Sequence, residues 1–209
     1  MKSVKVFMPI AFTLIAALMI IVVLAGCATT DTTAPASAKS NVSNIIPPSV
    51  WNPSDTASPG TTTKSFSGIE VIAGQEKDVL TMEVTFTSET QAGGGKWGAF
   101  FTDDKSVLSK ARKASGARFK AMGDGKRWII LFHTKETMID WCSYSADIKT
   151  VNNEVVDINI PYKNLVQPTW GKKAQFVKNN IMNISLQRQA DEASETGTST
   201  LKIFDFEVY

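Results

Sequence analysis

From residue 66 to the end of the chain, apolar and polar side chains alternate with a period of two. Residues 81–87 read Thr-Met-Glu-Val-Thr-Phe-Thr, with Met82, Val84 and Phe86 on one face. Trp97, Ala99 and Phe101 share a face, as do Ala117, Phe119 and Ala121, which leaves Arg118 and Lys120 opposite. Such alternation marks a half-buried strand. Residues 127–134 are apolar on both faces, as in a central strand. Residues 141–148 alternate again. Val156, Ile158 and Ile160 form another inward set, and Met182, Ile184 and Leu186 a further one. Residues 201–209 close the chain as a strand. Turn-forming residues separate these runs: Gly93-Gly94-Gly95, Gly123-Asp124-Gly125, Asn152-Asn153 and Gly197. Only residues 104–114 could make a short helix, with a polar loop as the alternative. Strands at this spacing without a βαβ rhythm predict an all-β, antiparallel sandwich or barrel.

The start of the chain follows another pattern. Lys2 and Lys5 precede a charge-free apolar run from Val6 to Leu24. The run closes on Leu24-Ala25-Gly26-Cys27, which resembles a bacterial lipobox. That resemblance implies a signal peptide over residues 1–26, cleavage before Cys27, and a lipid thioether on its sulfur. The run approaches the roughly 20 residues that span a bilayer, so a retained transmembrane anchor is the competing reading. The polar tail after Cys27, with no positive stop-transfer cluster, favours the lipobox. Ala28, rather than Asp, implies the outer membrane if the host is diderm. Residues 28–46 are rich in Ala, Ser and Thr and bury too little apolar area to offset ordering entropy. They read as a flexible tether with a reach on the order of 25 Å. Pro47, Pro48, Pro53 and Pro59 make the next stretch extended, and Trp51 within it is expected to pack on the domain edge. The folded domain is expected over residues 47–209.

Removing residues 1–26 takes away Lys2 and Lys5 and no acid. The 22 basic side chains then fall to parity with the 20 acidic ones. No net field remains to draw in nucleic acid. If Cys27 is acylated, Cys142 has no disulfide partner, and two cysteines cannot build a Cys-based zinc site. Cys142 reads as a small buried hydrophobe. His133 is the single histidine.

Several motifs follow one another in order: Gly116-Ala117-Arg118-Phe119-Lys120-Ala121-Met122-Gly123-Asp124-Gly125-Lys126, then Asp140-Trp141-Cys142-Ser143-Tyr144. Ile160-Pro161-Tyr162-Lys163-Asn164-Leu165, Gln167-Pro168-Thr169-Trp170-Gly171 and Ile203-Phe204-Asp205-Phe206-Glu207-Val208 come after them. Together they resemble the family 11 carbohydrate-binding modules and the related complex I intermediate-associated protein 30 group. The resemblance covers roughly residues 66–209. The family's opening Asp-Phe-Glu is missing, with Trp51-Asn52-Pro53-Ser54-Asp55 a loose substitute. The resemblance implies a galactose-binding-like jelly roll that holds an extended β-glucan on one sheet without hydrolysing it. No cofactor is required; Asp205 is a candidate ligand for a structural calcium.

Sugar rings lay apolar C–H faces on aromatic rings, and their hydroxyls need planar polar partners. Alternation proposes where. If Phe119, Trp128, Ile130, Phe132, Cys142, Tyr144, Ile184 and Leu186 form the core, the opposite face shows Arg118, Lys120, Ile129, Leu131, His133, Trp141, Ser143, Ser145, Asn183, Ser185 and Gln187. Trp141 is the stacking platform; Arg118, His133, Ser143 and Gln187 are candidate hydroxyl partners. Trp97 and Trp128 read as core, and Trp170 as a structural plug. A one-residue slip in register would reverse every assignment. Three functions compete. The favoured one is a lipid-anchored, extracytoplasmic, non-catalytic protein that captures cellulose or mixed-linkage β-glucan, with or without a separate glycoside hydrolase. The second is a protein-interaction lipoprotein, for which Ile129 and Leu131 would supply an apolar patch. The third is a small glycoside hydrolase, which needs two facing carboxylates, and the alternation gathers none.

Overall fold

The computed structural model describes residues 44–54, 57–89 and 95–209. The signal peptide, Cys27 and most of the tether lie outside them. Residues from 42 onward form one compact unit. The strands are β1 (Asn52–Pro53), β2 (Thr61–Ile72), β3 (Gln75–Phe86), β4 (Trp97–Thr102), β5 (Gly116–Gly123), β6 (Trp128–Thr134), β7 (Tyr144–Ile148), β8 (Val155–Pro161), β9 (Ile181–Gln189) and β10 (Gly197–Val208). Among the described residues one α-helix, α1 (Lys105–Lys113), follows β4. Two five-stranded sheets result, in the orders β1-β4-β9-β6-β7 and β2-β3-β10-β5-β8. All their strand pairs are antiparallel. Each sheet keeps two edges, so the chain forms a sandwich and not a barrel. From β3 onward, successive strands mostly cross from one sheet to the other.

Alternation explains the packing. The even positions of β3 (Leu80, Met82, Val84, Phe86) and the odd positions of β5 (Ala117, Phe119, Ala121) point between the sheets and are buried. They meet Phe100, Trp128, Ile130, Phe132, Ile184 and Leu186 from the first sheet. The sheets approach closely at Gly98, where an added Cβ would lie 2.7 Å from Thr63 and 2.8 Å from Val84. Phe119 stacks on Phe206 at 4.9 Å, and Trp51 meets Phe206 edge-on at 5.5 Å. Trp51 thus packs where the sequence predicted.

Four expectations need correction. The folded domain starts before residue 47: the Ile46 amide donates to the Phe206 carbonyl, and Ile46 is buried. The expected strand over 141–148 begins only at Tyr144, because residues 135–140 form turns that carry Trp141 off the ladder. Met182 is exposed, unlike Ile184 and Leu186, because the β6–β9 register shifts between His133 and Thr134. Trp97 is half-buried on the outer face of its sheet; its neighbour Gly98 faces the core instead.

Two local features follow from side-chain chemistry. Asp104 caps α1, with Oδ1 accepting the amides of Ser106 and Val107 at 2.9 and 3.0 Å. Asp124, in the Gly-Asp-Gly turn, accepts the Lys126 amide with Oδ1 and the Thr200 amide with Oδ2, both at 3.1 Å. That turn is therefore tied to β10.

Candidate functional site

The outer face of the first sheet carries Trp97, Ala99 and Phe101 from β4, and Asn183, Ser185, Gln187 and Gln189 from β9. β6 adds Ile129, Leu131 and His133, and β7 adds Ser145. Registry lines them up in rows: Ala99–Gln187–Ile129, Phe101–Ser185–Leu131–Ser145, and Asn183–His133. Val166 pairs with Ser145 and extends the same face one strand past β7. Ala99 and Ile129 are buried, whereas Trp97, Phe101, Leu131 and Gln187 are only half covered.

At one end of this face His133 is buried within a hydrogen-bonded chain. Its Nε2 lies 2.8 Å from Ser185 Oγ, and its Nδ1 lies 2.6 Å from Ser143 Oγ. Ser143 Oγ also donates to Thr137 Oγ1 at 3.3 Å, which donates to the Thr134 carbonyl at 3.1 Å. Proton counting then sets the directions: Ser143 has spent its proton, so Nδ1–H donates to Ser143, and Ser185 donates to Nε2. The imidazole is neutral, and burial pushes it down to about 4. Both ring nitrogens are used internally. His133 and Ser143 therefore support the site and have no polar atom left for a ligand.

What they support is Trp141. Its indole meets the His133 ring edge-on at 5.8 Å and is 56% exposed. Its φ is +60°, a left-handed conformation that costs a bulky residue steric energy. One strand over from His133, Asn183 Oδ1 is buried without a hydrogen-bond partner. It shares the outer face with His133, its register partner. The sequence placed Asn183 on this face but gave no reason to single it out, because only the packing shows its unmet oxygen. Gln187 lies on the same face, half-buried. Trp97 and Phe101 add aromatic area that the sequence reading had assigned to the core or had not counted.

Arg118 and Lys120 are not brought to this face. They sit on β5 in the other sheet, because the chain crosses between sheets from β5 to β6. Arg118 pairs with Glu207 and lies over the Tyr209 ring, and Lys120 pairs with Asp157 at 2.6 Å. Asp205 also belongs to that sheet, at a β10 irregularity with φ +52°, and its carboxylate meets Lys77 at 3.0 Å. No group of three or more acidic, His or Cys side chains converges among the described residues. Calcium takes six to eight oxygen ligands, and the surroundings of Asp205 do not fit it. Trp170 is 57% exposed and is no plug. Cys142 is buried, as expected for a small hydrophobe. Two surface depressions lie elsewhere. One, of about 440 Å³, is beside Tyr162 and Phe176; the other, of about 460 Å³, is between Trp51 and Phe204.

No protein-family model matches the chain, and no curated protein does. Among solved structures, it is similar to the family 11 carbohydrate-binding module of the cellulosomal cellulase Lic26A-Cel5E of Clostridium thermocellum. Identity is 14% and TM-score 0.46, over 76% of this chain and 86% of that one. An arabinose-bound α-L-arabinofuranosidase, MgGH51, matches at 10% identity and TM-score 0.37, over 76% of this chain and 23% of that one. PfGH50B matches at 11% identity and TM-score 0.36, over 71% and 23%. The chain thus spans under a quarter of these last two proteins, and no residue's role here rests on any of the three.

Proposed function

We propose that this domain binds carbohydrate without cleaving it, on the outer face of the β1-β4-β9-β6-β7 sheet. One observation carries the reading: an exposed indole, Trp141, is held in a disfavoured conformation against a buried His133. A solvent-facing ring stiffened in this way suits stacking against a pyranose. The half-exposed amide of Gln187 on the same face suits its hydroxyls. The β-glucan identity of the ligand follows from the motif resemblance alone, as does attachment to a membrane through Cys27.

The nearby acids favour binding over hydrolysis. Amides of Lys172 and Cys142 hold the Asp140 carboxyl below its ordinary value and occupy both of its oxygens. Glu136 is also held low, chiefly by its own backbone amide. A glycosidase acid needs the opposite, a raised value.

The test is calorimetry or affinity electrophoresis of the full-length protein in mild detergent against a panel of soluble β-glucans, beside Trp141→Ala. Saturable binding that the substitution abolishes is expected. Failure to bind any glycan would transfer the weight to a protein-interaction role. Released reducing ends would make the protein an enzyme. Mass analysis of the mature amino terminus checks acylation at Cys27.

A further inference from the structure

The loop bearing Trp141 and the loop bearing Trp170 are fastened into one unit at the β7 edge. Asp140 joins them through its Oδ1 contact with the Cys142 amide at 3.1 Å and its Oδ2 contact with the Lys172 amide at 2.6 Å. The Cys142 thiol donates to the Trp170 carbonyl at 2.8 Å. Gln167 Nε2 donates to the Cys142 carbonyl at 2.6 Å, while its Oε1 accepts the Ala174 amide at 3.0 Å. Gly171 has φ +76°, and a Cβ there would lie 2.5 Å from that of Cys142. The backbones pass as closely as glycine permits.

This fastening holds two indoles out in water. Trp141 and Trp170 flank the locking residues Cys142 and Gly171, and each is more than half exposed. Val166, also exposed, lies on the same outer face beside Ser145 and continues apolar surface toward the Trp170 loop. Scattered exposed apolar residues need no explanation. Here the two indoles border one fastened pair of loops, and the backbone of Trp141 is held at φ +60° by that fastening. Strain kept in this way at a surface points to function rather than packing.

Building on the carbohydrate reading, we propose that Trp170 is a second stacking platform, which carries the ligand past the β7 edge. The ligand class is then an oligosaccharide or polysaccharide chain whose successive rings meet both indoles, not a single terminal sugar. Trp141 holds the ring over the sheet, and Trp170 holds a ring further along the chain.

The experiment compares wild type, Trp141→Ala, Trp170→Ala and Trp170→Tyr by calorimetry, using full-length protein in mild detergent. The probes are cellobiose, cellohexaose and a mixed-linkage β-glucan hexasaccharide, and thermal melts confirm that each variant is folded. Trp170→Ala should weaken hexasaccharide binding about tenfold or more, which corresponds to 1.4 kcal/mol, and leave disaccharide binding within about twofold. Trp170→Tyr should restore the hexasaccharide affinity, and Trp141→Ala should weaken both. Unchanged hexasaccharide affinity in Trp170→Ala, beside a loss in Trp141→Ala, overturns the second platform and leaves the carbohydrate reading standing. Equal losses for short and long chains in Trp170→Ala overturn the extension, since both indoles then serve one ring. If wild type binds none of the probes, the carbohydrate reading itself fails and takes the second platform with it.

Discussion

Acidifying the protein should weaken it through His133 before any carboxylate contributes. The imidazole is 7% exposed, and burial moves it from 6.5 to about 4. Between those values the unfolded chain binds a proton that the native state does not. Stability therefore rises with pH across the window: it is full above 6.5, declines as pH falls below 6.5, and the loss is complete near 4. At 1.36 kcal/mol per pH unit, the whole difference amounts to about 3 kcal/mol, of which about 2 kcal/mol falls between pH 7 and 5. Glu70, Glu136, Asp140 and Glu195 all sit below their ordinary carboxylate values. Each stabilises the fold above its unfolded value and loses that contribution only as pH falls below about 4.5, toward its folded value. The slope from pH 6.5 to 5 is then the histidine's. Urea unfolding across this range should show the decline in wild type and a nearly flat profile in His133→Asn, which keeps a donor toward Ser143 but cannot titrate. With a single histidine in the chain, the imidazole resonances need no assignment. Parallel profiles for the two proteins, or an imidazole titrating near 6.5 in the folded state, would refute the reasoning.

Other perturbations test the frame that positions the site. Arg188 is fully buried and meets Glu195 at 2.5 Å, Ser199 at 2.9 Å and the Phe86 ring at 5.6 Å. Glu195→Ala removes the closest anion from a buried cation and should cost about 3 kcal/mol in urea unfolding at pH 7, at the low end because Asp191 remains at 3.6 Å. A loss under about 0.5 kcal/mol would mean that Glu195 acts as an ordinary surface residue. Asp104→Ala deletes the cap of α1 and should cost about 1 kcal/mol by the same assay. An unchanged midpoint would show that tertiary packing, not the cap, holds the helix.

The period-two pattern determined the strands. Of the residues proposed as core around β5, β6, β7 and β9, all but Met182 are buried, because a pleated strand offers its side chains only two directions. The packing of Trp51 was equally local, readable from a large apolar side chain among prolines, whereas the choice of helix over loop at residues 104–114 came with the structure, where Asp104 caps α1. Alternation also put His133, Ser143, Asn183, Ser185 and Gln187 on one face, since all lie on strands of the same sheet or at its edge.

What alternation cannot state is which sheet a strand joins. Arg118 and Lys120 follow the same inward–outward rule as His133, yet they face the opposite side of the sandwich, because β5 pairs with β8 and β10. Register alone made Met182 exposed, and close approach of the sheets at Gly98 turned Trp97 outward. The exposure of Trp170 and the lock between its loop and that of Trp141 depend on contacts between residues some 30 positions apart, such as Asp140 with Lys172. Local sequence carries the periodicity of burial. Partners distant in the chain decide whether a polar atom is spent internally, as in His133, or left unpaired, as in Asn183.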